Sequence, residues 1–174
     1  IFPTPIIGGL GLLEDVNKAT RSAFGKDGLV VGLLGADTNG VDSHDLAGSE
    51  YLKLVHGRVE GSPKIDIDLE KLVQQVCRDA IDQGIITSAH DCSEGGLAVA
   101  LAECSIQGSI GFSGEFPVDD RWDATLFGEK QSRIVVGLPE DRWDALAGLA
   151  KAADVTLVRL GYTGGDRFAV KGQV

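Results

Sequence analysis

Hydrophobic positions recur with two different periods along the 174 residues, and their alternation predicts the elements. Leu69, Leu72, Val73, Val76, Ala80 and Ile81 keep i, i+3, i+4 spacing, which predicts a helix from Asp66 or Asp68 to Gln83, stopped by Gly84. Leu97, Ala98, Leu101, Ala102 and Ser105 share one face of a second helix that ends at Gly108. Shorter helical patterns cover 46–56, with Gly57 at a C-cap position, and also 121–127 and 141–152. Continuous or alternating apolar runs predict strands over 29–34, 85–89, 110–116, 132–138 and 155–160, with a short strand at 168–170. The first apolar run, 6–13, is apolar on both parities and reads as a buried strand ending at Glu14-Asp15. Residues 15–24 are polar and connect. Interleaved strands and helices define an α/β or α+β class, with a mixed sheet covered by helices. No internal repeat is visible.

Charge and composition narrow the function classes. Sixteen Lys and Arg against 26 Asp and Glu give a net charge of −10, with no basic cluster to meet a phosphate backbone, so no nucleic-acid partner is expected. No apolar run approaches the ~18 residues of a membrane span, and nothing in these residues resembles a signal peptide. The chain contains no Met and starts at Ile1, so the expectation is a processed product or a piece of a longer soluble protein. Cys77, Cys92 and Cys104 are an odd number without CxxC spacing. Free thiols in a reducing cytoplasm fit them better than disulfides or zinc. The 24 glycines are about twice the usual ~7% and are dispersed, as tight turns and close backbone approaches require.

The sharpest chemical feature is Asp91-Cys92-Ser93-Glu94-Gly95-Gly96, a strand end leading through two glycines into a helix. Such a helix start favours an anion; the glycines admit a phosphate to the main chain, and Asp91 can hold a Mg²⁺ that bridges to it. The same residues also read as a plain helix start, with Ser93 as N-cap and Glu94 complementing the dipole. A second candidate is Gly128-Glu129-Lys130-Gln131, followed by Ser132-Arg133. This polar loop at a strand start suits either a bound carboxylate or phosphate, or a solvated turn. Gly48-Ser49-Glu50-Tyr51 reads as an ordinary helix N-terminus. The histidines are scattered without a metal-ligand pattern, a Cys92–His90 nucleophile pair is set aside, and neither a dinucleotide fingerprint nor a P-loop is present.

Four segments taken together carry a family resemblance. They are Pro3-Thr4-Pro5-Ile6-Ile7-Gly8 with Glu14-Asp15, then Gly48-Ser49-Glu50-Tyr51, then Asp91-Cys92-Ser93-Glu94-Gly95-Gly96-Leu97, and finally Leu126-Phe127-Gly128-Glu129 with Ser132-Arg133. In order and spacing they resemble the last AIR-synthetase-like domain of the phosphoribosylformylglycinamidine synthases, narrowing to the small multi-subunit form. Aminoimidazole ribonucleotide synthetase, a member of the same superfamily, fits the Gly48–Tyr51 context less well. The resemblance implies the fold of the AIR synthetase C-terminal domain for 21–174, and the last strand of a preceding domain plus linker for 1–20. It implies an ATP-dependent ligase of purine biosynthesis that turns formylglycinamide ribonucleotide and glutamine-derived ammonia into the amidine. ATP or ADP and Mg²⁺ are the implied cofactors. The implied partners are the remaining synthetase domains, a glutaminase and a small accessory subunit. No catalytic residue is expected in this chain, which alone is expected to be inactive. Asp91 would face the metal; Ser93, Gly95 and Gly96 the phosphate; Gly128, Glu129, Lys130 and Gln131 would form a phosphate or substrate loop. Lys130 replaces a small polar residue of the family, and either adds a phosphate contact or marks a loop with another role. A non-catalytic scaffold with a vestigial nucleotide site is the alternative. The orphaned strand at 6–13 is predicted to dock on a second copy, giving a homodimer, or on its own domain.

Overall fold

Strand β1 (Val30–Gly35) is buried along its whole length, so its sequence is apolar on both parities rather than alternating. The computed structural model describes residues 7–35, 43–118 and 121–173, and places β1 inside a six-stranded sheet. The other strands are β2 (Ser88–Asp91), β3 (Phe112–Pro117), β4 (Arg133–Leu138), β5 (Leu157–Thr163) and β6 (Phe168–Gln173). Their order is β2-β4-β1-β5-β3-β6. Every neighbouring pair is antiparallel except β3 with β6, which is parallel, so the sheet is mixed as expected.

Both faces are covered. Helices α2 (Ile67–Asp82) and α5 (Trp143–Ala152) lay Val73, Val76, Ala80, Leu146 and Ala150 against Val30, Leu34 and Val136. Helix α3 (Gly96–Gly108) covers the opposite face, where Leu97, Leu101 and Cys104 meet Val31, Leu33 and Phe112. Each fully buried Leu or Phe contributes roughly 1.5–3 kcal/mol over its exposed state. Leu72, which the periodicity placed on the α2 stripe, is 42% exposed and lies at its margin. Two short helices, α1 (Glu50–His56) and α4 (Trp122–Phe127), pack near the β2 edge through the stacked rings of Tyr51 and Phe127, 5.2 Å apart.

Three expectations need correction. The run 6–13 is not a buried strand: residues 7–13 have no regular structure, and Ile7, Leu10 and Leu12 are 91%, 107% and 102% exposed, while Ile6 lies outside the described residues. Nor does the segment dock on its own domain. An apolar strand without a paired edge has no ladder to satisfy its backbone, so sequence pattern alone cannot make it a strand. The helix drawn over 46–56 begins only at Glu50, after a 3-10 turn at Ser43–Leu46, because Ser49 takes the N-cap and accepts from the Leu52 N–H. The strand drawn over 85–89 begins at Ser88. Ile85 and Ile86 instead direct their N–H groups to Ala80 O at the end of α2, burying both side chains there.

Candidate functional site

The end of β2 and the start of β4 lie side by side, with the Cys92 N–H donating to Arg133 O at 3.0 Å. That pairing brings the Asp91–Gly96 turn beside the Gly128–Ser132 loop. Between them and α2 opens a cleft of about 530 Å³, lined among others by Glu70, Asp91, Ser93, Glu129, Ser132 and Arg133. The Asp91 carboxylate is 75% exposed, and Ser93 Oγ donates to its Oδ2. Ser93 is therefore not the N-cap of α3. Gly95 holds that position at φ 81°, without a side-chain cap of its own.

The missing cap comes from elsewhere in the chain. Glu129 Oε1 accepts the Gly95 N–H at 2.8 Å and the Glu50 N–H at 2.9 Å, so one carboxylate oxygen holds the starts of α3 and α1. The backbone carrying Glu129 is itself fixed. Its N–H donates to Asp45 O at 2.8 Å, Arg133 Nη2 donates to Gly128 O, and Arg133 Nε donates to Lys130 O at 3.3 Å. Gln131 folds back on the loop, its Nε2 donating to Glu129 O at 3.1 Å. Lys130 Nζ stands 3.9 Å from Asp45 Oδ2. The second glycine answers to packing: a Cβ on Gly96 would come within 2.4 Å of Gly128 O. The segments 48–51, 91–97 and 126–133, far apart in sequence, thus meet at one corner of the fold.

Two features of this corner are not foreshadowed by the sequence pattern: the burial of Arg133 and the partner of His90. Arg133 opens an apolar strand, yet is only 2% exposed; its Nη1 and the Ser132 Oγ are buried without a partner among the described residues. A charged residue at the head of a buried strand was the signal available. Glu103 of α3 places Oε2 3.2 Å from His90 Nε2, a contact that adjacency in sequence does not suggest. His90 Nδ1 faces Asp91 O at 2.7 Å. Burial pushes the Cys92 thiol up to about 11, against a weaker opposing pull from Arg133, so the thiol stays protonated and is a poor nucleophile. Among the described residues, no group of three or more His, Cys, Asp or Glu is placed to hold a metal ion, and no helix is long and apolar enough to cross a membrane.

A mixed sheet carrying a strand–glycine-turn–helix at its edge is the class this geometry defines. The pattern of the AIR synthase related protein C-terminal domain matches residues 26–172, and the chain belongs to that family. It is 42% identical over 183 residues to the phosphoribosylformylglycinamidine synthase subunit PurL of Anaeromyxobacter sp. (strain Fw109-5), covering 99% of this chain and 23% of that protein. With the subunit PurL of Thermomicrobium roseum it shares 44% identity over 98% of this chain and 23% of the relative. The chain thus spans about a quarter of the length of these curated relatives. Among solved structures, Thermotoga maritima PurL complexed with FGAR superposes with a TM-score of 0.75 at 18% identity, over 91% of this chain and 28% of that one. Thiamine-monophosphate kinase from Stenotrophomonas maltophilia K279a reaches 0.60 at 20% identity, over 90% of this chain and 54% of that one. At such identities the structures show the shared fold.

Proposed function

We propose that the chain serves a phosphoribosylformylglycinamidine synthase, an ATP-dependent C–N ligase of cytoplasmic purine biosynthesis. Its substrates are formylglycinamide ribonucleotide, ATP and glutamine-derived ammonia; its products are the amidine, ADP and phosphate. The observation that carries this reading is the match of 98–99% of the chain to relatives of that name at 42–44% identity. The meeting of the three motif segments at one corner supports it. In this reading the remaining synthetase domains, a glutaminase and a small accessory subunit are the partners, and catalytic residues lie outside this chain.

Within the domain, the Asp91–Gly96 turn faces a nucleotide phosphate with its Mg²⁺. The donor set fits such a group. Mg²⁺ bound to a nucleotide takes one or two carboxylates and fills its shell with phosphate oxygens and water, so a single exposed Asp91 suits it where a dedicated cage would not. Bound there, the ion would neutralise phosphate charge. Ser93, whose hydroxyl donates to Asp91, would turn it to a phosphate oxygen once the ion takes the carboxylate, and Ser132 and Arg133 line the same cleft. Gly95 and Gly96 shape the turn, and the Gly128–Gln131 loop buttresses it. The occupation of the Gly95 N–H by Glu129 favours a second reading, a scaffold whose nucleotide site is vestigial.

Calorimetric titration of the chain with Mg·ADP separates the two. Saturable binding that disappears in Asp91→Ala is the expected result. No binding would leave the scaffold reading standing, and equal binding by Asp91→Ala would take Asp91 out of the nucleotide site.

A further inference from the structure

Glu129 belongs to neither of the helices whose starts it holds. Gly95 lies 34 residues before it and Glu50 lies 79 before it, yet both N–H groups end on the same Oε1. A charge-assisted acceptor of this kind is roughly twice as strong as a neutral one. Here its strength is divided between two helices that share no other hydrogen bond across their starts among those described. The carboxylate is also badly suited to touching a phosphate, since like charges would meet at the turn. The residues around it are arranged to hold it still. Arg133 grips the carbonyls on either side of it, and Asp45 O takes its own N–H.

We propose that Glu129 is the positioning residue of the Asp91–Gly96 turn. It sets where Asp91 and Ser93 stand relative to α1 and the cleft, and it does so through the Gly95 main chain without contacting the ligand. The proposal rests on the reading of that turn as the nucleotide-facing wall, and it assigns to Glu129 a different role from the phosphate contact that the resemblance implied. Because α1 and α3 share one acceptor, a change that frees Gly95 frees Glu50 as well.

Three variants of the chain test it: Glu129→Ala removes the acceptor, Glu129→Asp shortens its reach by one methylene, and Glu129→Gln keeps a carbonyl oxygen at the same reach. The first readout is amide hydrogen exchange by NMR under native conditions. Glu129→Ala is expected to speed exchange at Gly95 and Glu50 together, by ~10-fold or more, as loss of a hydrogen bond to a charged group implies. Glu129→Gln restores most of the protection at both. Should Glu129→Ala fail to fold, Glu129→Asp gives the same comparison, with faster exchange expected at both amides and a change at only one counting against the shared acceptor. The second readout is the Mg·ADP dissociation constant, expected to rise ~10-fold in Glu129→Asp and to recover in Glu129→Gln, while the urea midpoint of Glu129→Asp stays within the range where the chain is fully folded. Unchanged exchange at both amides, or a change at one of them in Glu129→Ala, would overturn the shared-acceptor role. Coupled loss of protection with an unaltered Mg·ADP constant would reduce Glu129 to a stabilising cap. If the wild-type chain binds no Mg·ADP, the nucleotide reading falls, and the exchange data still decide whether Glu129 holds the turn.

Discussion

Helices α2 and α3 begin in opposite ways. At α2, Asp66 precedes the helix and its Oδ1 accepts the N–H groups of Asp68 and Leu69, both at 3.0 Å. At α3, the N-cap is a glycine with nothing to offer, and the acceptor is Glu129, brought across from the loop before β4. Both arrangements place one carboxylate oxygen on two N–H groups. The first is complete within four residues and can form in an otherwise unfolded chain, as N-caps do. The second exists only when β2 and β4 have paired, because that pairing sets the two loops side by side. A helix start made by tertiary structure is therefore one that folding and ligand geometry can share.

The largest effect that would break this contrast lies at Gly96. Its φ is 69°, and an added Cβ would come within 2.4 Å of Gly128 O, a carbonyl that Arg133 also holds. Left-handed strain of ~1–2 kcal/mol and overpacking of ~1–3 kcal/mol add, so Gly96→Ala is expected to cost roughly 3 kcal/mol in urea unfolding. Gly57, the C-cap of α1, has φ 63° but nothing within 4 Å of its added Cβ, so Gly57→Ala should cost about 1 kcal/mol, the strain alone. Equal costs at the two sites would show that the α3 corner is not built on close approach.

The same contrast explains what was legible in advance. Caps that act within four residues leave a local signal: the pattern puts the α2 start at Asp66 or Asp68, of which Asp66 is the cap, and Gly57 after α1. Both glycines are also required by the protein's own packing, which a linear pattern does not show: an added Cβ would come within 2.4 Å of Gly128 O at Gly96 and within 2.4 Å of the Val99 side chain at Gly95. Ser93 has the right type and place for a cap, and only the position of the Asp91 carboxylate shows that its hydroxyl is used elsewhere. Glu129 and Arg133 belong to the Leu126–Arg133 motif, yet their partners are set by strand pairing, which one-dimensional spacing does not contain. The mixed, two-sided sheet was legible because β1 and β4 are apolar on both parities. The arm at 7–13 carries the same pattern without a partner, which is why pattern misled there.

Alkali should loosen the α3 side of the sheet. Burial raises Cys92 from 9.0 to about 11 and Cys104 to about 12, both in the core beneath α3, and pushes Cys77 on the α2 side up as well. Each thiol is protonated in the folded chain and free to ionise in the unfolded one. Their contribution is therefore fully present below about pH 9 and is lost as pH rises through the folded values. For Cys92, a shift from 9.0 to about 11 corresponds to about 3 kcal/mol across that window. Urea midpoints measured from pH 8 to 11 should fall, and Cys92→Ala should fall less steeply; parallel curves would remove Cys92 from the account.

The smallest effect tests the local half of the comparison. Asp66 is exposed and caps only the first turn of α2, so Asp66→Ala should cost about 1 kcal/mol and Asp66→Ser much less, since serine offers an equivalent acceptor. The loss should stay where it is made. Amide exchange ought to quicken at Asp68 and Leu69, the two donors, and leave Gly95 and Glu50 unchanged. A remote cap behaves differently, because its acceptor is shared and its removal appears at two helices together. If Asp66→Ala also loosens Gly95, the two helix starts are coupled through the sheet itself, and the distinction between a cap that is local and one that is borrowed no longer holds for this fold.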